Sequence, residues 1–144
     1  MKDAYFDSAY IAKCYLHEPD SAEVRKLAGE CEALHSSSLA VAELACVFHR
    51  QLREGTLTAK TAPLVQDQFR KDVHDGVWIL EPITDRILRR VEVLMAKLPP
   101  SIFLRAGDAI HLVTAMELGL GEVWTNDRHL LAAADRVTLS GRHV

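Results

Sequence analysis

No run of about 20 apolar residues occurs in the 144-residue chain, so a membrane-spanning helix is excluded and a water-soluble globular protein is expected. The opening MKDAYFDSAY has no long apolar segment behind a basic start, which argues against a signal peptide and for a cytoplasmic location. Cysteine is scarce. Cys14, Cys31 and Cys46 are odd in number and form no CxxC pair, which fits reduced thiols. The seven histidines include no HxH or HxxxH spacing, which argues against a zinc site. A strong excess of charge is missing too: the net value of −3 gives no broad basic surface for binding nucleic acid by charge alone. Repeats, low-complexity tracts and linkers are absent. The length suffices for one substantial core and not two, so residues 1–144 read as a single domain.

What is present alternates between strand and helix. Ala4-Tyr5-Phe6 is a short strand ending at Asp7, and Ser8 to Leu16 carries apolar residues at helical spacing until Pro19. Asp20-Ser21 caps a second helix, and Ala33 to Ser38 reads as a strand. From Leu39, the residues Val41, Leu44, Ala45, Phe48 and Leu52 predict the apolar stripe of a helix that ends at Gly55. Thr58 or Thr61 opens a further helix with Val65, Phe69 and Val73 inward, and Val77 to Leu80 is a strand stopped by Pro82. Thr84 caps a helix containing Ile87, Val91, Leu94, Met95 and Leu98, followed by a break at Pro99-Pro100. Apolar residues then crowd Ala109 to Leu118, so the helix there is covered on most sides. Gly119 and Gly121 end it, Glu122 to Thr125 is β-prone, and Asp127 to Ala134 and Arg136 to Leu139 predict a last helix and a last strand. Such alternation predicts an α/β fold, a central mostly parallel sheet with helices on both faces.

In open parallel sheets the functional crevice lies beyond the carboxyl ends of the strands. Asp7 follows the first strand, Glu43 stands one turn into the helix after the second, Asp127 follows the fourth, and Asp108 lies in the first turn of the helix preceding it. Taken singly, Asp7 and Asp127 read as helix caps, Asp108 as a favourable first-turn charge and Glu43 as a solvated helix residue. Taken together, four carboxylates in one crevice repel one another unless a divalent cation neutralises them, and oxygen-only ligands suit Mg2+ or Mn2+. The chemistry expected of such a site is metal-assisted phosphodiester hydrolysis. His111, one turn from Asp108, reads as a packed or hydrogen-bonded helix residue without a catalytic role, and Trp78 and Trp124 as core. Arg50, Arg53, Arg89, Arg90 and Arg128 read as surface charges, some of them placed to hold RNA phosphates. Setting aside the four acids moves the net charge from −3 to +1, so the remaining surface does not repel RNA.

Four segments, Asp7-Ser8, Ser38-Leu-Ala-Val-Ala-Glu43-Leu, Arg105-Ala-Gly-Asp108-Ala-Ile-His and Thr125-Asn-Asp127, resemble in order and spacing the acidic motifs of PIN-domain ribonucleases. Within that group the chain looks most like VapC-type toxins of bacterial toxin-antitoxin pairs, including the His17-Glu18-Pro19 segment. The resemblance implies a PIN-like three-layer fold and an endoribonuclease in which Asp7, Glu43, Asp108 and Asp127 bind Mg2+ or Mn2+. It further implies that Ser8 and Thr125 support these acids through their hydroxyls, and that the partners are an RNA substrate, a cognate antitoxin and a second copy in a homodimer. Many relatives carry a further acid two residues after the last aspartate, where this chain has His129. A non-catalytic module that binds a metal or a partner in the acidic pocket is the alternative. A phosphatase is disfavoured because Ala9 breaks the DxD that Asp7 would begin, and a phosphoacceptor domain because no acidic pair adjoins the first strand.

Overall fold

The computed structural model describes residues 2–137 and 139–144. Strands β1 (Ala4–Tyr5), β2 (Leu34–Ser37) and β3 (Trp78–Glu81) pair in parallel in that order, with Ala4 opposite Leu34 and Leu34 opposite Trp78. β4 (Glu122–Trp124) and β5 (Ser140–Arg142) form a second parallel pair. A parallel bridge between Phe6 and Trp124, together with the Asp7 amide donating to the Trp124 carbonyl at 3.2 Å, brings the two pieces side by side. The strand order across the protein is therefore β3-β2-β1-β4-β5.

Every crossover is helical, as parallel pairing demands. α1 (Ser8–Lys13) and α2 (Ser21–Glu30) link β1 to β2, α3 (Leu39–Arg53) and α4 (Ala62–His74) link β2 to β3, α5 (Asp85–Lys97) and α6 (Ala106–Leu118) lead to β4, and α7 (Arg128–Ala134) leads to β5. Side chains alternate across a strand, and β1 shows the consequence. Ala4 and Phe6 enter a core with Tyr10, Ile11, Leu44, Phe48 and Phe69 from α1, α3 and α4. Tyr5 points the other way, into a core with Ile87, Leu94, Leu112, Val113 and Leu130 from α5, α6 and α7. Two apolar cores on opposite faces of one sheet make the three layers expected from the strand-helix alternation.

Two expectations are corrected. The last strand lies at Ser140–Arg142 and not at 136–139, where Arg136 and Val137 form a turn after α7; Thr138 lies outside the described residues. In α3 only Ala40, Leu44 and Phe48 are buried, while Val41, Ala45 and Leu52 are exposed, because the helix docks on α1 and α4 along a narrower stripe than its apolar composition offers. Among the described residues no helix is long and apolar enough to cross a membrane.

Candidate functional site

Four segments deliver carboxylates to one cavity of about 620 Å³ beyond the strand ends: Asp7, Glu43, Asp108 and Asp127 all line it, with Ser8 and His111. Asp7 is buried at the junction of β1 and α1. Its Oδ1 accepts from the Tyr10 amide at 2.8 Å, capping α1, and its Oδ2 accepts from the Thr125 hydroxyl. Asp127 caps α7 in the same manner. Its Oδ1 accepts from the His129 and Leu130 amides at 2.8 and 3.0 Å, while its own amide donates to Thr125 Oγ1 at 3.0 Å. The capping roles expected of these two aspartates are therefore present, and among the described residues they leave Asp127 Oδ2 uncommitted. Thr125 ties the two segments together.

Glu43 departs from the reading as a solvated residue. Its Oε1 accepts from Ser8 Oγ at 2.8 Å and from His111 Nε2 at 2.7 Å. His111 is fully buried, and its Nδ1 lies 2.8 Å from the Tyr5 hydroxyl. Nε2 donates to Glu43, and Nδ1 pairs with the Tyr5 hydroxyl. His111 thus links the inner layer of the sheet to the acidic cavity. Gly107 supplies the room. A Cβ there would lie 3.1 Å from Glu43 Oε2, so a side chain at this point would have to shift the Glu43 carboxylate by a few tenths of an ångström. Asp108 itself accepts no hydrogen bond among the described residues.

The electrostatics separate the acids. Burial pushes the Asp7 carboxyl above its ordinary range, against the pull of His111, Thr125 and the Tyr10 amide, with Asp108 adding to the rise. Burial also raises Asp108, followed by repulsion from Asp127 and Glu43, which His111 and Arg105 offset only in part. Glu43 goes the opposite way: burial would raise it, but the hydrogen bonds from His111 and Ser8 and the charge of His111 hold it below the usual range. Burial is the main cause of both rises, and the like charge of the neighbouring acids adds to each.

Among the described residues no three His, Cys, Asp or Glu side chains are arranged to hold an ion as they stand. The donor chemistry nevertheless fits Mg2+ or Mn2+. Mg2+ keeps several waters and takes only one or two carboxylates directly, so it requires no preset cage of three protein ligands. Asp108 and the open oxygen of Asp127 supply that number, with Glu43 and Asp7 held close by.

The rim is cationic in two places. Arg50 and Arg53, exposed on α3, line the same cavity beyond Cys46 and Val47, and neither forms an ion pair among the described residues. Arg105 and His129 line an adjoining cavity of about 380 Å³ that shares Glu43, Asp108 and Asp127. Glu18 of the His17-Glu18-Pro19 segment pairs with Lys13, as does Asp20, and Asp20 Oδ2 accepts from Asn126 Nδ2 at 2.7 Å. That chain of polar contacts fixes the loop carrying Asp127 against α1 and α2. Of the other arginines, Arg90 is engaged with Glu117 and Arg89 with Asp85, away from the acids.

Comparison with known proteins places this geometry. In fold the chain is similar to VapBC2 from Rickettsia felis, solved bound to a DNA fragment from its promoter, with a TM-score of 0.68 and 15% identity over 100% of this chain and 99% of that chain. It is also similar to FitAcB from Neisseria gonorrhoeae, with a TM-score of 0.70 and 17% identity over 98% of this chain and 96% of that chain. Among curated proteins no sequence matches. Residues 4–136, which contain every acid of the cavity, match the PIN domain, and the chain belongs to the PIN domain family.

Proposed function

We propose that this chain is a metal-dependent endoribonuclease that hydrolyses RNA phosphodiester bonds with Mg2+ or Mn2+, and that it serves as the toxin of a toxin-antitoxin pair. The observation that carries the reading is the convergence of Asp7, Glu43, Asp108 and Asp127, from four separate segments, on one cavity at the carboxyl ends of parallel strands. PIN domains are generally nucleases that use divalent cations, and the likeness in fold to VapBC2 and FitAcB supports the toxin assignment. Asp108 and Asp127 would hold the cation, which would supply activation of a water and neutralisation of charge on the scissile phosphate. The protein's own part is orientation. Ser8 and His111 hold Glu43, Thr125 and the α1 amide hold Asp7, and the α7 amides hold one oxygen of Asp127, so Asp108 is the carboxylate freest to meet a cation.

Incubation of the purified protein with single-stranded RNA tests the proposal. Cleavage is expected with Mg2+ or Mn2+, and none in excess EDTA or with Asp108→Asn. Full activity in EDTA would sink the mechanism. The alternative reading is a non-catalytic module that binds a metal or a partner in the same acidic cavity. Binding without any cleavage in the same assay would select it.

A further inference from the structure

The cavity that Asp108 and Asp127 line is lined as well by an aromatic ring, Phe103, that belongs to neither core. Its neighbours explain why it points outward. Leu104 is buried and Ile102 packs against the core of α5 and α6, so the segment leading into α6 is anchored on both sides of Phe103, which is left 53% exposed. Single exposed apolar residues are ordinary on protein surfaces. This one is held in place by polar groups. The His129 ring lies edge-on with centroids 4.9 Å apart, and the Arg105 guanidinium stands 5.7 Å from the Phe103 centroid. Arg105 forms no ion pair among the described residues. A half-exposed aromatic ring, a cationic fork that lies over it and an imidazole thus line one cavity together with the carboxylates.

We propose that Phe103, flanked by Arg105 and His129, is a stacking platform for an unpaired base of the RNA substrate, next to the phosphate that is cut. This rests on the ribonuclease reading given above and adds the substrate's form. Stacking on an aromatic face requires a base free of its helix, so the platform selects single-stranded or looped RNA over duplex. Every base has a π-face, so the preference it confers is for unpaired structure more than for sequence. Arg105 can serve the sugar-phosphate of the stacked nucleotide, because the guanidinium matches phosphate geometry. A protein segment is the less favoured occupant: the ring adjoins the carboxylates that would receive the scissile phosphate, so a nucleotide bound there has its base within reach of the ring.

Binding and cleavage are measured separately. A single-stranded ribo-oligonucleotide is titrated onto proteins carrying Asp108→Asn, with Phe103 intact or changed to Ala, Leu or Trp, and the same Phe103 changes are assayed for cleavage in the otherwise native chain. Phe103→Ala and Phe103→Leu should weaken binding about tenfold or more and raise KM with a smaller effect on kcat, while Phe103→Trp keeps affinity. The added indole should be quenched by the oligonucleotide relative to a Phe103 protein that retains Trp78 and Trp124. A scan of abasic nucleotides should find one position that weakens binding when Phe103 is present and not in Phe103→Leu. Melting curves confirm that each variant is folded, and Phe103→Leu keeps the apolar contact if Phe103→Ala does not fold. Equal binding by all variants, an abasic scan that Phe103→Leu leaves unchanged, or loss of antitoxin binding with RNA binding intact would overturn the platform. Cleavage without Phe103 dependence would remove this inference and leave the ribonuclease. Phe103-dependent binding without cleavage would do the reverse.

Discussion

Asp108 is the residue at which fold and function conflict, because burial and the charges of Asp127 and Glu43 all oppose its ionisation and no hydrogen bond within the described protein relieves it. A carboxyl whose folded pKa is raised contributes stability that is complete below about pH 4, the ordinary aspartate range, and is lost as pH rises through the higher folded value. Without metal, the melting temperature of the native protein should therefore fall from mildly acidic pH towards neutrality more steeply than that of Asp108→Asn. At neutral pH the asparagine variant should be the more stable by at most about 1 kcal/mol, a figure discounted for the half-exposed setting. Mn2+ should raise the melting temperature of the native protein and not that of the variant. Glu43 acts in a different window: its lowered value supplies stability above the usual glutamate range that is lost only as pH falls through that lowered value, so its effect does not mask the first. Identical pH profiles for native and Asp108→Asn proteins would contradict this account. His111 makes the complementary case. His111→Ala removes the imidazole that the buried Tyr5 hydroxyl meets at 2.8 Å and frees Glu43, so a loss of about 2–3 kcal/mol in urea unfolding is expected, with reduced cleavage by the folded fraction. A loss below 0.5 kcal/mol, in the range of neutral surface changes, would show that the network does not hold the site.

Among the elements, α3 carries function along its length. Glu43, Cys46 and Val47, Arg50 and Arg53 fall at spacings of three and four residues on one face, so the helix runs from the acids to two exposed guanidiniums. Arg50 is seven residues beyond Glu43, about 10 Å along the axis, a distance that suits a phosphate one or two nucleotides from the cut. Arg50→Ala and Arg53→Ala should each weaken binding of any single-stranded RNA to a similar degree and reduce the slope of log affinity against log salt by about 0.7. An unchanged slope would place these arginines off the RNA path. The same helix shows what the sequence could and could not reveal. The strand-helix order, the caps Asp7, Thr84 and Asp127 and the glycine end of α6 at Gly119, which has φ of 66°, follow from local chemistry and were readable. Val41 and Ala45 were misread because apolar type alone does not say how wide a stripe the neighbouring helices will cover. Phe103 and His111 owe their importance to residues 26 and 68 positions away, His129 and Glu43, and no local pattern encodes such distances. Gly107 is the same kind of case: its reason is the Glu43 carboxylate on another helix.

At the scale of the whole molecule, the protein is unfinished on two surfaces. Phe69 and Ile87 are buried, and Val65, Val73 and Val91 pack against the cores, so these side chains are used internally. Ile79 of β3, Ile83 after it, and Leu88 and Met95 on α5 remain exposed and are available to a second copy. A two-fold homodimer is therefore expected, and light scattering at tens of micromolar should give twice the chain mass; the monomer mass would refute it. The second unfinished surface is the acidic cavity. Without metal it concentrates four carboxylates, two of them with raised pKa, and a positive group from a partner relieves that repulsion as well as a metal ion does. Arginine is the better candidate, because its planar fork engages two carboxylate oxygens at once and a partly desolvated crevice strengthens the pairing above that of an exposed salt bridge. An antitoxin that inhibits in this manner competes with the cation, so its complex should bind Mn2+ far more weakly than the free protein does. Replacing the arginines and lysines of its toxin-binding segment should restore both Mn2+ binding and cleavage while docking elsewhere on the surface persists. If those replacements leave inhibition intact, or the complex takes up Mn2+ with the affinity of the free protein, the antitoxin acts at a distance from the carboxylates.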